Sequence, residues 1–168
     1  MEIMDLNKAR IFVSTYANSL WGEWVELSDF YNLDDFRKHC AKIHEDYIYQ
    51  SWENIPNILI DRRCLEKNFF ELREALEQLT DTEKNAFWVW VRNTNANLFA
   101  DIPHLTRSFQ SDYIGHYADR EIFAKEEFIK AENELPDFAL IYFDFSKYAD
   151  DLFCTDFWHK DGYVFRNN

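Results

Sequence analysis

The chain contains 168 residues, of which 47% are hydrophobic and 18% aromatic, so it can bury the core of one or two domains and is not a disordered acidic tail. Its 31 acidic and 18 basic residues give a net charge of −13 at pH 7. This charge argues against direct binding to nucleic-acid phosphates, because proteins that bind them normally carry a basic stripe, and the largest basic cluster here is Arg62-Arg63.

The first part of the chain predicts a small sheet with one helix. Residues 9–30 contain two β-rich runs joined near Asn18 to Gly22, and DYIYQSW at residues 46–52 predicts a third strand. Asn32 precedes LDDFRKHCAKIH and is typical of a helix N-cap. We therefore expect residues 1–60 to form an N-terminal domain with a three-stranded sheet and one helix.

A change to helical periodicity after Cys64 predicts a helical middle domain, residues 61–103. Apolar residues recur there at the spacing of one helix face: Leu65, Phe69, Leu72, Leu76 and Leu79. Thr80 and Glu83 have the spacing of a capping box, which predicts the start of a second helix. The apolar run AFWVWV suits a buried strand or a buried helix, and the cap before it favours a helix.

The remaining residues, 104–168, predict an acidic C-terminal α+β domain. A Pro-marked loop near Asp101 leads into the short run DYIGHY, and a helix begins near Asp119. The apolar residues of this helix lie on two sides, Ile122 and Ile129 on one, and Ala124, Phe128 and Ala131 on the other. This distribution predicts a thin body with contacts on more than one side.

The last elements combine aromatic and acidic residues. Pro136 marks the start of a short helix, and residues 144–152 predict a second one. The buried face of this second helix is expected to contain Phe145, Tyr148, Ala149 and Leu152, and the opposite side Asp144, Asp150 and Asp151 with Lys147. FCTDFWHK alternates as a strand, and Asp161-Gly162 predicts a type I′ turn into a final strand.

The negative charge is concentrated in the C-terminal region. Residues 101–168 hold 14 acidic and 7 basic residues, whereas residues 1–60 hold 10 and 5, and residues 61–100 hold 7 and 6. Taken singly, such carboxylates are solvated surface groups. Taken together, they also suit a groove built for DNA, which expects about one negative charge per 1.7 Å of duplex axis.

The sequence lacks the motifs of common enzyme classes. It contains no phosphate-binding glycine-rich loop, GxSxG, HExxH or calcium loop. His39 and His44 lie five residues apart on a predicted helix, which puts them on different faces and argues against a shared metal. Three widely spaced cysteines provide neither a disulfide framework nor a CxxC metal site. We expect no enzyme activity, no cofactor and no metal.

The N-terminus and the hydropathy pattern predict a cytoplasmic protein. No apolar run is long enough to span a bilayer. The first residues include Glu and Asp instead of a basic region followed by an apolar core. We expect no contact with a membrane.

Three stretches of the sequence resemble the ArdA family of antirestriction proteins, which conjugative plasmids, transposons and phages encode. The stretch RIFVSTYANSLWGEWVEL is similar to the opening strand, loop and Gly-x-Trp strand of the family. The stretch YIGHYADREIFAKEEFIKAENELPDFALIYFDFSKYADDL is similar to its acidic helix, Pro-led short helix and D-[FY]-x-x-[YF]-A-x-D-L segment, and DGYVF resembles its closing strand. In that segment the matching residues are Asp144, Phe145, Tyr148, Ala149, Asp151 and Leu152.

The resemblance implies an α+β fold, an elongated chain of three small domains that dimerises through the C-terminal one. It also implies that surface carboxylates imitate the phosphates of bent DNA, so that the protein occupies the DNA-binding groove of type I restriction-modification enzymes and inhibits them. The carboxylates that we expect to act in this way are those of Asp112, Asp119, Glu121, Glu126, Glu127, Glu132, Glu134, Asp137, Asp144, Asp150 and Asp151.

Two other functions fit the sequence. The first is an acidic protein-interaction module that binds another basic DNA-binding protein. The second is a metal-dependent hydrolase, because a cluster of carboxylates suits a hard cation such as magnesium. The candidate ligands of that cation are Asp144, Asp150, Asp151 and Asp156.

Overall fold

A computed structural model of the protein describes residues 4–18, 20–131 and 135–167. Within these residues it contains seven α-helices and two three-stranded antiparallel sheets, which confirms the α+β class. The strands are β1 (Arg10–Thr15), β2 (Gly22–Glu26), β3 (Tyr47–Glu53), β4 (Tyr113–His116), β5 (Phe157–Lys160) and β6 (Tyr163–Arg166). The helices are α1 (Leu33–Ile43), α2 (Phe69–Glu77), α3 (Asp81–Thr94), α4 (Ile102–Asp112), α5 (Arg120–Lys130), α6 (Asp137–Leu140) and α7 (Phe145–Thr155).

The described residues group into two compact units. The N-terminal unit comprises those of Met1–Trp88 and Ala96–Thr106, and the C-terminal unit those of Val89–Asn95 and Arg107–Asn168. Most of the residues predicted to form a separate middle domain, 61–103, therefore belong to the N-terminal unit. The division into three domains stays a prediction.

The predicted sheet of the N-terminal unit forms as expected. Its strand order is β2-β1-β3, with Ile11 and Val13 of the central strand buried. Asn32 caps α1, since its side chain accepts a hydrogen bond from the backbone amide of Asp35 at 2.9 Å. Helix α1 in turn buries Phe36.

Helix α2 is shorter than the sequence pattern predicts. All five apolar positions of the predicted stripe are buried, but the helix begins at Phe69. Leu65 instead forms a β-bridge with Ile60. The Asp61 carboxylate accepts hydrogen bonds from the amides of Arg63 and Cys64, and this local turn competes with a helix in the same segment.

The capping box at the start of α3 is confirmed. The Glu83 carboxylate accepts from the Thr80 backbone amide at 2.8 Å, and the Thr80 hydroxyl accepts from the Glu83 amide at 3.3 Å. The run AFWVWV continues this helix, as the cap favours.

The prediction of a loop at the start of the third region is wrong, because α4 occupies it. Pro103 is tolerated in the first turn, where its missing amide proton has no helical acceptor. The Asp101 carboxylate accepts from the His104 amide at 2.9 Å. The buried residues of α4 follow a helical spacing and comprise Ile102, Leu105 and Phe109.

The sheet of the C-terminal unit has the strand order β4-β6-β5. Asp161 and Gly162 both have positive φ angles, 54° and 86°, which confirms the predicted turn between β5 and β6. The predicted strand beginning at Phe153 begins instead at Phe157, because α7 extends to Thr155.

Helix α5 buries one side only within the described chain. Phe123 and Phe128 are buried, whereas Ile122 and Ile129 are 41% and 73% exposed. Phe123 packs edge-on against Phe157 with ring centroids 4.8 Å apart, which attaches α5 to the sheet. The expectation of a thin body with contacts on more than one side stays a prediction.

We predict that Gly22→Ala destabilises the N-terminal sheet. A Cβ atom at Gly22 would lie 2.1 Å from the backbone oxygen of Val13, and a backbone atom in a paired strand has little room to move aside. The free energy of unfolding should fall by about 2 kcal/mol or more, as other overpacking changes do. Chemical denaturation followed by circular dichroism measures it.

Leu20→Ala, at a side chain that is 91% exposed, is the control. Its free energy of unfolding should stay within about 0.5 kcal/mol of that of the natural chain. A Gly22→Ala protein as stable as the control would contradict the pairing of β1 with β2.

Candidate functional site

Helix α5 carries exposed carboxylates and begins at a carboxylate cap. The Asp119 side chain accepts a hydrogen bond from the Ile122 amide at 2.9 Å and so begins the helix. Along the helix Glu121 and Glu126 are exposed, and Glu127 is half-buried. Asp119 and Glu126 lie two helical turns apart, about 10 Å along the axis and on the same side.

Helix α7 has the same arrangement. The Asp144 side chain accepts from the Lys147 amide at 3.0 Å and caps the helix. Asp150 and Asp151 are exposed, and Asp151 lies about 10 Å along the axis from Asp144, on the same side. The predicted inward residues face the interior: Ala149 is buried, and Phe145, Tyr148 and Leu152 are half-buried.

Aromatic rings pack between α5 and α7, the two helices that carry most of the exposed carboxylates. The Phe128 ring of α5 contacts Phe143 at a centroid distance of 4.7 Å, Phe145 at 5.6 Å and Tyr148 at 5.8 Å. The Lys125 ammonium lies 5.4 Å from the centre of the Phe145 ring. The exposed carboxylates therefore project from helices whose inner sides are packed together.

Two of the predicted carboxylates pair with cations. The Arg120 guanidinium lies 3.2 Å from the Asp150 carboxylate and also covers the ring of Phe153. The Lys130 ammonium lies 2.9 Å from the Glu127 carboxylate, and this hydrogen bond raises the pKa of Lys130. Both pairs are on the surface, where such pairs contribute about 1 kcal/mol or less.

Six predicted carboxylates are exposed and have no lysine or arginine within ion-pair distance among residues 4–18, 20–131 and 135–167. We call them the unpaired carboxylates: Asp119, Glu121, Glu126, Asp137, Asp144 and Asp151. Glu126 accepts a hydrogen bond from the Tyr117 hydroxyl at 3.2 Å. Burial first, and then the Glu126 charge, raise the pKa of Tyr117. Glu126 also lies near Lys130, whose pKa its charge helps to raise, although the two groups form no ion pair.

An open groove of about 520 Å³ brings some of these carboxylates together, between the start of α5 and α7. Its charged and polar lining consists of Asp119, Arg120, Glu121, Ser146, Asp150 and His159. Asp137, Asp144 and Asp151 do not line it. The predicted carboxylates that the structure describes therefore lie on or at the start of four helices, α4, α5, α6 and α7, and do not converge on a single centre.

One predicted site residue is in the interior. Asp112 is 8% exposed, and its carboxylate accepts a hydrogen bond from the indole nitrogen of Trp90 at 2.8 Å. A buried carboxylate needs such partners to offset its loss of hydration. Because it cannot present its charge to a partner protein, the expectation for Asp112 is corrected. Glu132 and Glu134 lie outside the residues that the structure describes.

The sequence interpretation missed two exposed apolar side chains in the N-terminal unit. Leu20 is 91% exposed and Trp21 is 69% exposed, both in the connection between β1 and β2. The available signal was the presence of large apolar residues within a predicted turn, where polar residues and glycine normally predominate.

A metal site finds no support in this surface. Within the described parts of the chain, no three His, Cys, Asp or Glu residues are grouped so that they could hold a metal ion. This includes the four aspartates considered for magnesium, Asp144, Asp150, Asp151 and Asp156.

No helix in the described ranges has the length and apolar character that crossing a membrane requires.

Comparisons with known proteins extend these observations. Neither the curated proteins nor the solved structures compared with the chain gave a match. The family model described as antirestriction protein (ArdA) matches residues 12–165, nearly the whole chain. The protein therefore belongs to the ArdA family of antirestriction proteins.

Proposed function

We propose that this protein inhibits type I restriction-modification enzymes by occupying their DNA-binding groove. Membership of the antirestriction family supports the general function. The exposed, unpaired carboxylates support occupation of the DNA-binding groove as the mechanism. Six exposed carboxylates that form no ion pair with lysine or arginine in the described structure are available to the basic residues that normally hold DNA phosphates. In this proposal the protein acts in the bacterial cytoplasm as a protein ligand and not as a catalyst.

The helices that carry these charges suit a DNA mimic. A mimic has to present its charges without first ordering its chain, because ordering on binding reduces affinity. Asp119 and Asp144 cap their own helices, so these two carboxylates hold the backbone and contribute charge at the same time. The aromatic contacts of Phe128 keep α5 and α7 in fixed register.

We further propose that the protein is a homodimer formed through the C-terminal unit. The segment around α6 exposes large apolar side chains that the described chain does not cover. They are Phe138 at 70%, Ile141 at 79% and Tyr142 at 85% exposed. Contiguous apolar residues at a surface are typical of association sites. A dimer would also double the number of carboxylates presented to the enzyme.

The runner-up is an acidic interaction module that binds a different basic DNA-binding protein. The same carboxylates support it, but the match to an antirestriction family over residues 12–165 favours the restriction enzyme. The metal-dependent hydrolase is not proposed, since no observation favours it.

We expect the affinity for a type I enzyme to fall steeply with ionic strength. Salt shortens the screening length from about 10 Å at 0.1 M to about 3 Å at 1 M, which weakens attraction between exposed charges. Binding of labelled protein to the enzyme, measured between low and high salt, tests this. An affinity that does not change with salt would contradict the mechanism, and an absence of binding at low salt would contradict the function.

Neutralising three unpaired carboxylates should weaken inhibition. We choose Glu121→Gln, Glu126→Gln and Asp151→Asn in one protein, because Asp119 and Asp144 also cap helices and their replacement would change stability. The expected loss of affinity is tenfold or more, corresponding to about 0.5 kcal/mol for each charge. DNA cleavage by the enzyme at increasing inhibitor concentration measures it.

The matched control removes the same amount of charge from the N-terminal unit. Its changes are Glu71→Gln, Glu74→Gln and Glu77→Gln, all at exposed positions of α2. This control should lose clearly less affinity than the variant of the C-terminal unit. Equal losses would show that total charge matters and that the α5 and α7 carboxylates have no special part.

Replacing an exposed apolar residue near α6 should separate the proposed dimer. Ile141→Asp places a charge in the apolar segment, and burying that charge in an interface would be costly. Sedimentation equilibrium should give twice the chain mass of 20.4 kDa for the natural protein and 20.4 kDa for the variant. A natural protein with the mass of a single chain would contradict dimerisation.

A further inference from the structure

The connection between β1 and β2 presents two large apolar side chains to solvent. Leu20 is 91% exposed and Trp21 is 69% exposed. Exposed side chains of this kind in a short loop contribute nothing to the core and are typical of contact residues in protein interfaces.

Hydrogen bonds engage the backbone amides of both residues. The Asn18 side chain accepts from the Leu20 amide at 3.2 Å, and the Asn18 backbone oxygen accepts from the Trp21 amide at 3.1 Å. The Thr15 hydroxyl accepts from the Asn18 amide at 3.1 Å and attaches the turn to the end of β1. The Trp21 ring also rests on His44, with ring centroids 5.5 Å apart.

The surroundings of this loop contain three carboxylates and Arg63, whose guanidinium lies over the ring of Tyr16 in the same connection. Glu23 follows Trp21 in β2, and its exposed carboxylate lies 3.7 Å from His39. Glu45 and Asp46 are exposed and directly precede β3, whose first residue pairs with the last residue of β1. The loop lies at the end of the sheet where β1 ends and β3 begins, so Glu45 and Asp46 lie near it. Glu23 lies near the loop because it is the second residue of β2.

The carboxylates near the loop indicate the kind of partner that could bind there. A surface that covers Leu20 and Trp21 also comes close to the neighbouring carboxylates, so it has to carry lysine or arginine residues. A second copy of this chain fits poorly, because a symmetric contact would bring two acidic sets together.

We infer that the loop with Leu20 and Trp21 is an apolar anchor for a lysine- and arginine-rich protein surface, which under the proposed function belongs to the restriction enzyme. It supplies a contact of a different physical kind from the carboxylates of the C-terminal unit. Its contribution comes from removing apolar area from water, which depends little on ionic strength.

The test compares Trp21→Ala and Leu20→Ser with Tyr31→Ala, in the full-length protein, for binding to a purified type I enzyme at low and high salt. Tyr31 is 92% exposed and lies outside the loop, so it controls for the loss of an exposed aromatic ring. We expect each loop variant to bind about tenfold more weakly, the usual effect of removing an interface hot spot, and by the same factor at both salt concentrations. Trp21→Phe should restore most of the affinity.

Several results would overturn the inference. If the loop variants bind like Tyr31→Ala while the natural protein binds well, the anchor is refuted and the proposed function is unaffected. If the natural protein does not bind the enzyme at all, both are refuted. If the loop variants lower the mass of the free protein in sedimentation, the loop contacts a second copy instead. Circular dichroism of each variant, with Leu20→Ser as the less disruptive change, separates loss of binding from loss of folding.

Discussion

The packing of aromatic rings between α5 and α7 is the interaction on which the rest of the C-terminal unit depends. Carboxylates lose hydration when they are buried, so a segment this acidic folds only if other residues supply all of the core. Phe123 and Phe128 do so from α5, together with Phe157 from the sheet and Phe143 from the connection before α7. The acidic residues are then left at the surface on helices that cannot rotate freely.

Asp112 also shows that a carboxylate is costly to bury, because the one that is buried has a hydrogen-bond partner. It is the one predicted carboxylate that the described structure buries, and it is accompanied by the indole of Trp90. The carboxylates of Asp119, Glu121, Asp144 and Asp151 remain at the surface, in water. The acidic surface therefore follows from the cost of burial. The proposed binding to a basic groove also requires that few cations pair with these carboxylates, and two of them form such pairs.

Local signals in the sequence predicted much of the fold. The Asn32 cap, the Thr80 and Glu83 capping box and the Asp161-Gly162 turn depend on residues within three positions of each other, and all three are present in the structure. Helix α4 was missed because Pro103 resembles a loop signal although it is compatible with a first helical turn.

Some features of the candidate site could likewise be predicted from local signals in the sequence, and others could not. The helix that begins at Asp119 and the outward position of Asp150 and Asp151 follow from caps and periodicity. The burial of Asp112 depends on Trp90, 22 residues away, and the pairing of Asp150 depends on Arg120 in another helix. Contacts at such distances leave no periodic trace in the sequence. The exposure of Leu20 and Trp21 had a signal in the sequence, because large apolar residues are unusual in a predicted turn.

The most direct test of the central claim is whether the protein and DNA compete for one site on a type I enzyme. A fluorescent duplex bound to the enzyme can be titrated with the protein, and the complexes separated by mass. The account predicts that the protein displaces the duplex completely, and that excess duplex displaces the protein in return. A stable complex containing enzyme, duplex and protein together would contradict it.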